Sequence, residues 1–183
     1  MNLDRRWIAA HIAHQGSMCL LEEVLSWDSQ QLACRAGNHR AADHPLRAHG
    51  RLGSACAIEY AAQAVAVHGA LLQALPDSQS AHALRVLASA RALELCVGRL
   101  DDLSGDLLIS VLRLHAEERS ALYSFELNEA ADALPGTAAG ALPGTAEASA
   151  AGAAGAAGIR RRLAHGRLSL WLDISAGRGR GSR

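Results

Sequence analysis

The chain has 183 residues, half of them apolar but only 3% aromatic, and its eighteen basic and eighteen acidic residues cancel. That length suits one domain with a real core and is short for two, and a balanced charge leaves no electrostatic footprint for nucleic acid. Cys19, Cys34, Cys56 and Cys96 lie far apart with no CxxC pair. They read as small buried hydrophobes in a reducing compartment, not as a disulfide frame or zinc knuckle.

In chain order, Asp4–Ala13 suits a short amphipathic helix with Trp7, Ile8, His11 and Ile12 on one side. The N-terminus carries two arginines but no apolar run of signal-peptide length. A strand is expected over Met18–Trp27, a polar turn at Asp28–Gln31 and a second strand over Leu32–Ala36. Gly37–Gly53 is rich in His, Arg, Asp and Gly and predicts an irregular loop, a length at which loops are usually functional or disordered. Ser54–Leu75 predicts a long helix, with Ser54 as N-cap and Pro76–Asp77 as the stop. Its interior is apolar nearly all round, as a central buried helix requires. It is also the nearest approach to the roughly 18 uncharged apolar residues of a membrane span, but Glu59 interrupts it. The expectation is a soluble cytoplasmic chain.

Four further strands are expected, over Leu84–Val97, Asp106–His115, Ala121–Asn128 and Arg162–Ile174. Partial alternation at Leu107–Ser110 and Ser120–Glu126 marks half-buried antiparallel strands. Ala133–Gly158 contains ALPGTA twice and then an Ala-Gly run. This composition buries little surface per residue ordered and predicts a flexible insertion within a single domain spanning 1–175. The tail Ala176–Arg183 is expected to be disordered. Helix, two strands, loop, long buried helix and four strands make an α+β hot-dog fold, an antiparallel sheet wrapped around the central helix. All eighteen basic residues are arginine; with the abundant Ala and Gly, this suits a GC-rich bacterial coding sequence.

Two segments carry a resemblance. Ile12-Ala-His-Gln-Gly-Ser-Met-Cys-Leu-Leu-Glu-Glu-Val24 is similar to the opening IPHRxPxLLxDxV of the 3-hydroxyacyl-carrier-protein dehydratases, with His14 on the motif His and Glu22 in place of its Asp. Asp43-His-Pro-Leu, followed by Gly53-Ser-Ala-Cys-Ala-Ile-Glu-Tyr-Ala-Ala-Gln63, resembles that family's GHFP…PGVLxxEAxAQ. Leu52–Leu72 is most like a subgroup of predicted hot-dog dehydratases from aryl polyene pigment clusters. The resemblance covers about Ile8–Asn128 and the final strand.

It implies dehydration of 3-hydroxyacyl thioesters carried on the phosphopantetheine of an acyl carrier protein, with no other cofactor. Such chemistry needs a base for the proton beside the carbonyl, an acid for the leaving hydroxyl, and donors aimed at the thioester oxygen. Transferred by position, His44 is the base and Glu59 the acid, often from opposite subunits of a homodimer or heterodimer. Amides of Gly53, Ser54 and Ala55 at the positive end of the helix would hold the thioester oxygen, and Gln63 would orient the site.

The chain departs from the pattern in three ways. One extra residue separates His44 from Glu59, the Phe after the motif His is missing, and Leu52 replaces a Pro. His49 is a second candidate for the loop imidazole. A buried carboxylate in an apolar helix costs several kcal/mol unless paired or protonated, which points to function for Glu59. Tyr60 reads as packing or dimer contact, His14 as a turn cap and His68 as a satisfied helix histidine. Arg47 and Arg51 could meet the carrier protein or its phosphate. No HxxxH, HxH or HExxH spacing suggests a metal. Two other readings stay open: a non-catalytic subunit that completes a heterodimeric dehydratase, and a hot-dog thioesterase with Glu59 as base.

Overall fold

The structure, a computed structural model, describes residues 2–75, 84–117, 119–131 and 158–173. Helix α1 (Arg5–His11) starts at Asp4, whose side chain accepts the Trp7 N–H at 3.0 Å, the N-cap that leaves an otherwise orphaned amide satisfied. Strands β1 (Glu23–Trp27) and β2 (Gln31–Ala36) form a hairpin. Helix α2 (Ala57–Gln73) follows, then β3 (Leu84–Leu95), β4 (Leu107–Ala116), β5 (Ser120–Ala130) and β6 (Ile159–Asp173).

The six strands form one sheet in the order β1-β2-β4-β5-β6-β3, with every neighbouring pair antiparallel. Helix α2 packs on it, chiefly against β4, β2 and β5. This is the predicted hot-dog arrangement. Sequence alternation explains which face meets the helix: Tyr123, Phe125 and Leu127 of β5 are buried while Ser124 and Glu126 between them are not. Ala57, Ala61 and Ala64 on α2 are buried with Val65 and Val67 in the same core as Leu32, Ile109, Phe125 and Leu168. Their small side chains bring the helix backbone close to the strands, so a core with one Phe and two Tyr in the whole chain still closes. Leu108 and Ala130 form a smaller cluster with Leu25 on the opposite face.

Three predicted boundaries change. Residues 19–22 lie outside the ladder of β1: Cys19, Leu20 and Leu21 are wholly buried, and the Leu20 N–H is taken by the Gln63 side chain instead of a neighbouring strand. Ser54 does not cap α2. It begins a 3₁₀ turn, Ser54–Cys56, and α2 starts after Cys56 with no side-chain cap. Strand β6 begins at Ile159, earlier than expected. The Pro76–Asp77 stop, most of the Ala-Gly-rich segment (133–157) and the tail 176–183 lie outside the described residues.

Edge strand β3 is bulged. Its register with β6 shifts between Arg91 and Glu94, where Ala92 sits at φ +48°, a left-handed conformation that L residues rarely adopt. Gly166 on β6 faces this bulge: a Cβ there would lie 3.0 Å from Phe125 and 3.3 Å from the Arg91 carbonyl and the Leu93 Cα. Ser54–Gln73 is long and apolar enough, by composition, to cross a membrane, yet over half of that stretch is buried in the core.

Candidate active site

Glu59 and Tyr60 are consecutive on the first turn of α2, and each meets a histidine from the preceding chain. Glu59 Oε1 lies 3.0 Å from His14 Nε2 and accepts the Gln63 Nε2–H at 2.9 Å. Gln63 stands one turn further along the same helix face, the spacing at which side chains touch. It is wholly buried and fully engaged: Nε2 also donates to the Met18 carbonyl at 2.8 Å, and Oε1 accepts the Leu20 N–H at 2.9 Å. Of the expected site residues, Gln63 is thus the one that touches Glu59. The carboxylate itself is not buried in this chain; its side chain is 31% exposed, and that of His14 33%. The desolvation argument from the sequence does not apply here, because the apolar surround of α2 opens at this turn. His14 faces the carboxylate and is not a turn cap.

His44 lies in the other network. It is buried, with Nε2 3.0 Å from the Tyr60 hydroxyl, while Nδ1 accepts the Leu46 N–H at 3.2 Å. An amide donor at Nδ1 fixes the tautomer: the ring proton is on Nε2 and points at Tyr60. Tyr60 passes the chain on by donating to Asn38 Oδ1 at 2.8 Å. Burial, reinforced by the Arg47 charge and opposed by Asp43, holds His44 below the usual histidine range, so the neutral form is favoured. Burial likewise pushes the Tyr60 hydroxyl up. His49, the rival imidazole, sits at φ +50° beside Gly50 at the tip of a tight turn closed by the Ala48–Arg51 pair, and is exposed. Of these two loop histidines, His44 and not His49 reaches α2.

The loop is held by a buried acid that sequence reading passed over. Asp101 accepts from Arg47, from Arg99 and from the Leu52 N–H. The Arg99 bond holds its carboxyl well below the usual range. Arg47 also bonds the carbonyls of Ala41 and Gly50, so it staples the loop, whereas Arg51 is exposed.

Near the mouth of α2, the Ser54 N–H is directed at the Gly98 carbonyl at 3.4 Å, and Gly53 bridges to Arg99. A Cβ at Gly53 would meet nothing within 4 Å, and Ala55 is exposed, so the backbone here borders open space. Among the expected thioester-holding amides, that of Ser54 is therefore already in use. His68 is a satisfied helix histidine, as read from the sequence, between the Tyr123 hydroxyl at 3.0 Å and the Asp28 carbonyl at 2.9 Å.

His44 and Glu59 are thus not joined within one chain; they occupy separate networks on successive residues of α2. The sequence missed the His14–Glu59 contact and the Asn38–Tyr60–His44 relay. Only the alignment of His14 with a motif histidine could have pointed to the first.

The architecture has known counterparts. The dehydratase heterocomplex ApeI:P from Xenorhabdus doucetiae matches with a TM-score of 0.66 at 19% identity, over 92% of each chain. A thioesterase family protein from Silicibacter pomeroyi matches with a TM-score of 0.56 at 10% identity, over 92% of this chain and 96% of that one. Among curated proteins none matches this sequence. The family model described as ApeP-like, ApeP dehydratase, matches residues 7–141, a stretch that includes most of α1, the whole loop and all of α2 with Glu59. This chain belongs to the ApeP-like dehydratase family.

Proposed function

We propose that the chain dehydrates 3-hydroxyacyl thioesters on an acyl carrier protein to trans-2-enoyl thioesters, in fatty acid or aryl polyene synthesis, within a hot-dog dimer. The observation that carries this reading is the Glu59 carboxylate: it is accessible, stands at the first turn of α2 and is gripped on one oxygen by two donors. It does so in a chain of a dehydratase family. Glu59 gives a proton to the C3 oxygen as the C3–O bond breaks. A neutral imidazole takes the C2 proton, and the electron pair forms the double bond. His44 is the expected base, kept neutral by burial. In the chain alone Nε2 carries the ring proton and Nδ1 accepts the Leu46 N–H, so both nitrogens are engaged. To act as base, His44 must either release the Leu46 amide from Nδ1 or move its proton there and exchange the Tyr60 contact for substrate.

That saturation favours a second reading, in which this subunit supplies Glu59 and a second hot-dog chain supplies the imidazole. The similar Xenorhabdus protein is a heterocomplex. Edge strand β3, with Leu87, Leu93 and Leu95 exposed, offers backbone groups and apolar area to such a partner. We further read the chain as one cytoplasmic domain.

The test is intact mass spectrometry of a 3-hydroxyacyl carrier protein incubated with the chain alone and with a hot-dog dehydratase partner. Loss of one water from the chain alone, abolished by His44→Ala and by Glu59→Ala, supports the self-sufficient enzyme. Loss only with the partner, abolished by Glu59→Ala but not His44→Ala, supports the shared site. Release of free acid would overturn both in favour of a thioesterase.

A further inference from the structure

We infer that His14 is a positioning residue of the Glu59 site: with Gln63 it fixes the carboxylate so that Oε2 is the oxygen that exchanges the proton with substrate. The inference rests on Glu59 acting as the acid in the reaction proposed above, and goes beyond it in naming the group and the atom.

Both donors converge on the same oxygen, His14 Nε2 at 3.0 Å and Gln63 Nε2 at 2.9 Å from Oε1. Among the described residues no donor meets Oε2, and the side chain is one-third exposed. Gln63 cannot rotate away, since its other contacts are to the Met18 carbonyl and the Leu20 N–H. His14 is held almost as firmly. It lies between α1 and a 3₁₀ turn, Gly16–Met18, in a short segment tethered on both sides. Ile12 is buried, the Gln15 side chain bonds the carbonyls of Ala9 and Ile12, and Arg5 bonds the Gly16 carbonyl. The Nδ1 atom of His14 is buried and has no hydrogen-bond partner. The tautomer that satisfies the contact present therefore carries its proton on Nε2, aimed at Glu59.

The chemistry follows from that asymmetry. A carboxylic acid whose Oε1 accepts two N–H bonds carries its own proton on Oε2. When that proton passes to the C3 hydroxyl and the C–O bond breaks, water leaves and Glu59 becomes a carboxylate. The new negative charge is met at Oε1 by two donors already in place, and their bonds strengthen as the charge grows. His14 thereby favours the transition state over the bound substrate without touching the reacting carbons.

The experiment compares His14→Leu and His14→Gln with wild type in the complex that shows turnover. His14→Leu removes the donor; His14→Gln restores an N–H at similar reach. The expected result is a fall in kcat of roughly ten- to a hundredfold for His14→Leu, the range of one charge-assisted hydrogen bond. KM changes little, and His14→Gln recovers most of the loss. Wild-type kcat in His14→Leu, or equal loss in both variants, overturns the inference. If wild type releases no water, the dehydratase reading fails separately, and long-range ¹H–¹⁵N spectra of the imidazoles decide the positioning question. A single Nε2–H tautomer for His14 that becomes mixed in Glu59→Ala sustains the contact; an identical spectrum in both overturns it.

Discussion

Glu59 and Tyr60 are neighbours in sequence and opposites in environment. Tyr60 is buried and links His44 to Asn38 in a chain where both His44 ring nitrogens and the Tyr60 hydroxyl have partners. Glu59 faces outward, with one oxygen gripped by His14 and Gln63 and no donor among the described residues on the other. A saturated buried network resists change, because any group moved leaves another unpaired in low dielectric. A half-satisfied carboxylate at the surface is poised to accept something more. On the reading proposed above, the difference favours Glu59 as the group that meets substrate directly, whereas His44 does so only after its network rearranges.

Glu59→Gln should break the comparison most severely. Removing the proton donor is expected to lower dehydration by about 10²–10⁴-fold with the thermal unfolding midpoint nearly unchanged, since the amide keeps a bond to Gln63 and the group is accessible. Gln63→Leu comes next and should reverse the pattern. It strands the Leu20 N–H and Met18 carbonyl, and should cost roughly 2–4 kcal/mol of stability, read by urea denaturation. Tyr60→Phe should cost only about 1 kcal/mol and leave Glu59 in place, so turnover that collapses in this variant would show that His44 needs the hydroxyl.

A gentler probe is pH. Burial, with the Arg40 charge, lowers His39 to about 4, and burial also lowers His44. Both groups bind protons more weakly folded than unfolded, so stability should be full above the ordinary histidine value near 6.5 and fall as pH drops below it. The urea midpoint is expected to be lower at pH 5 than at pH 7.5, and His44→Gln should flatten part of that slope.

The fold was legible because its signals are local. The all-round apolar run of α2 and the alternation of Tyr123, Phe125 and Leu127 each declare an element from a few residues. The site was legible only in part. Glu59 stands out as a charge inside an apolar helix, and Gln63 follows one turn later. The pairing of each with its partner depends on how the chain returns over α2. Residues 19–22 look like a strand in sequence but hand the Leu20 amide to Gln63, and that same detour brings the His14 segment against the helix. Nothing local distinguishes the exposed His49 from the buried His44; the tight turn at His49–Gly50 sets them apart. Asp101 was invisible for the same reason, being one of two adjacent acids in a polar turn, of which only one points inward.

The bulge at Ala92 bears on what can pair with the rim of the sheet. A long strand at the rim of a sheet is a template that any extended peptide can copy, and stacking of rims is how fibrils grow. In β3 the ladder is interrupted partway, where the backbone turns left-handed and Gly166 makes room for the kink. A newcomer cannot run in register along the whole rim; it must carry a matching irregularity or stop short. The kink narrows what this rim could pair with to strands that share its irregularity.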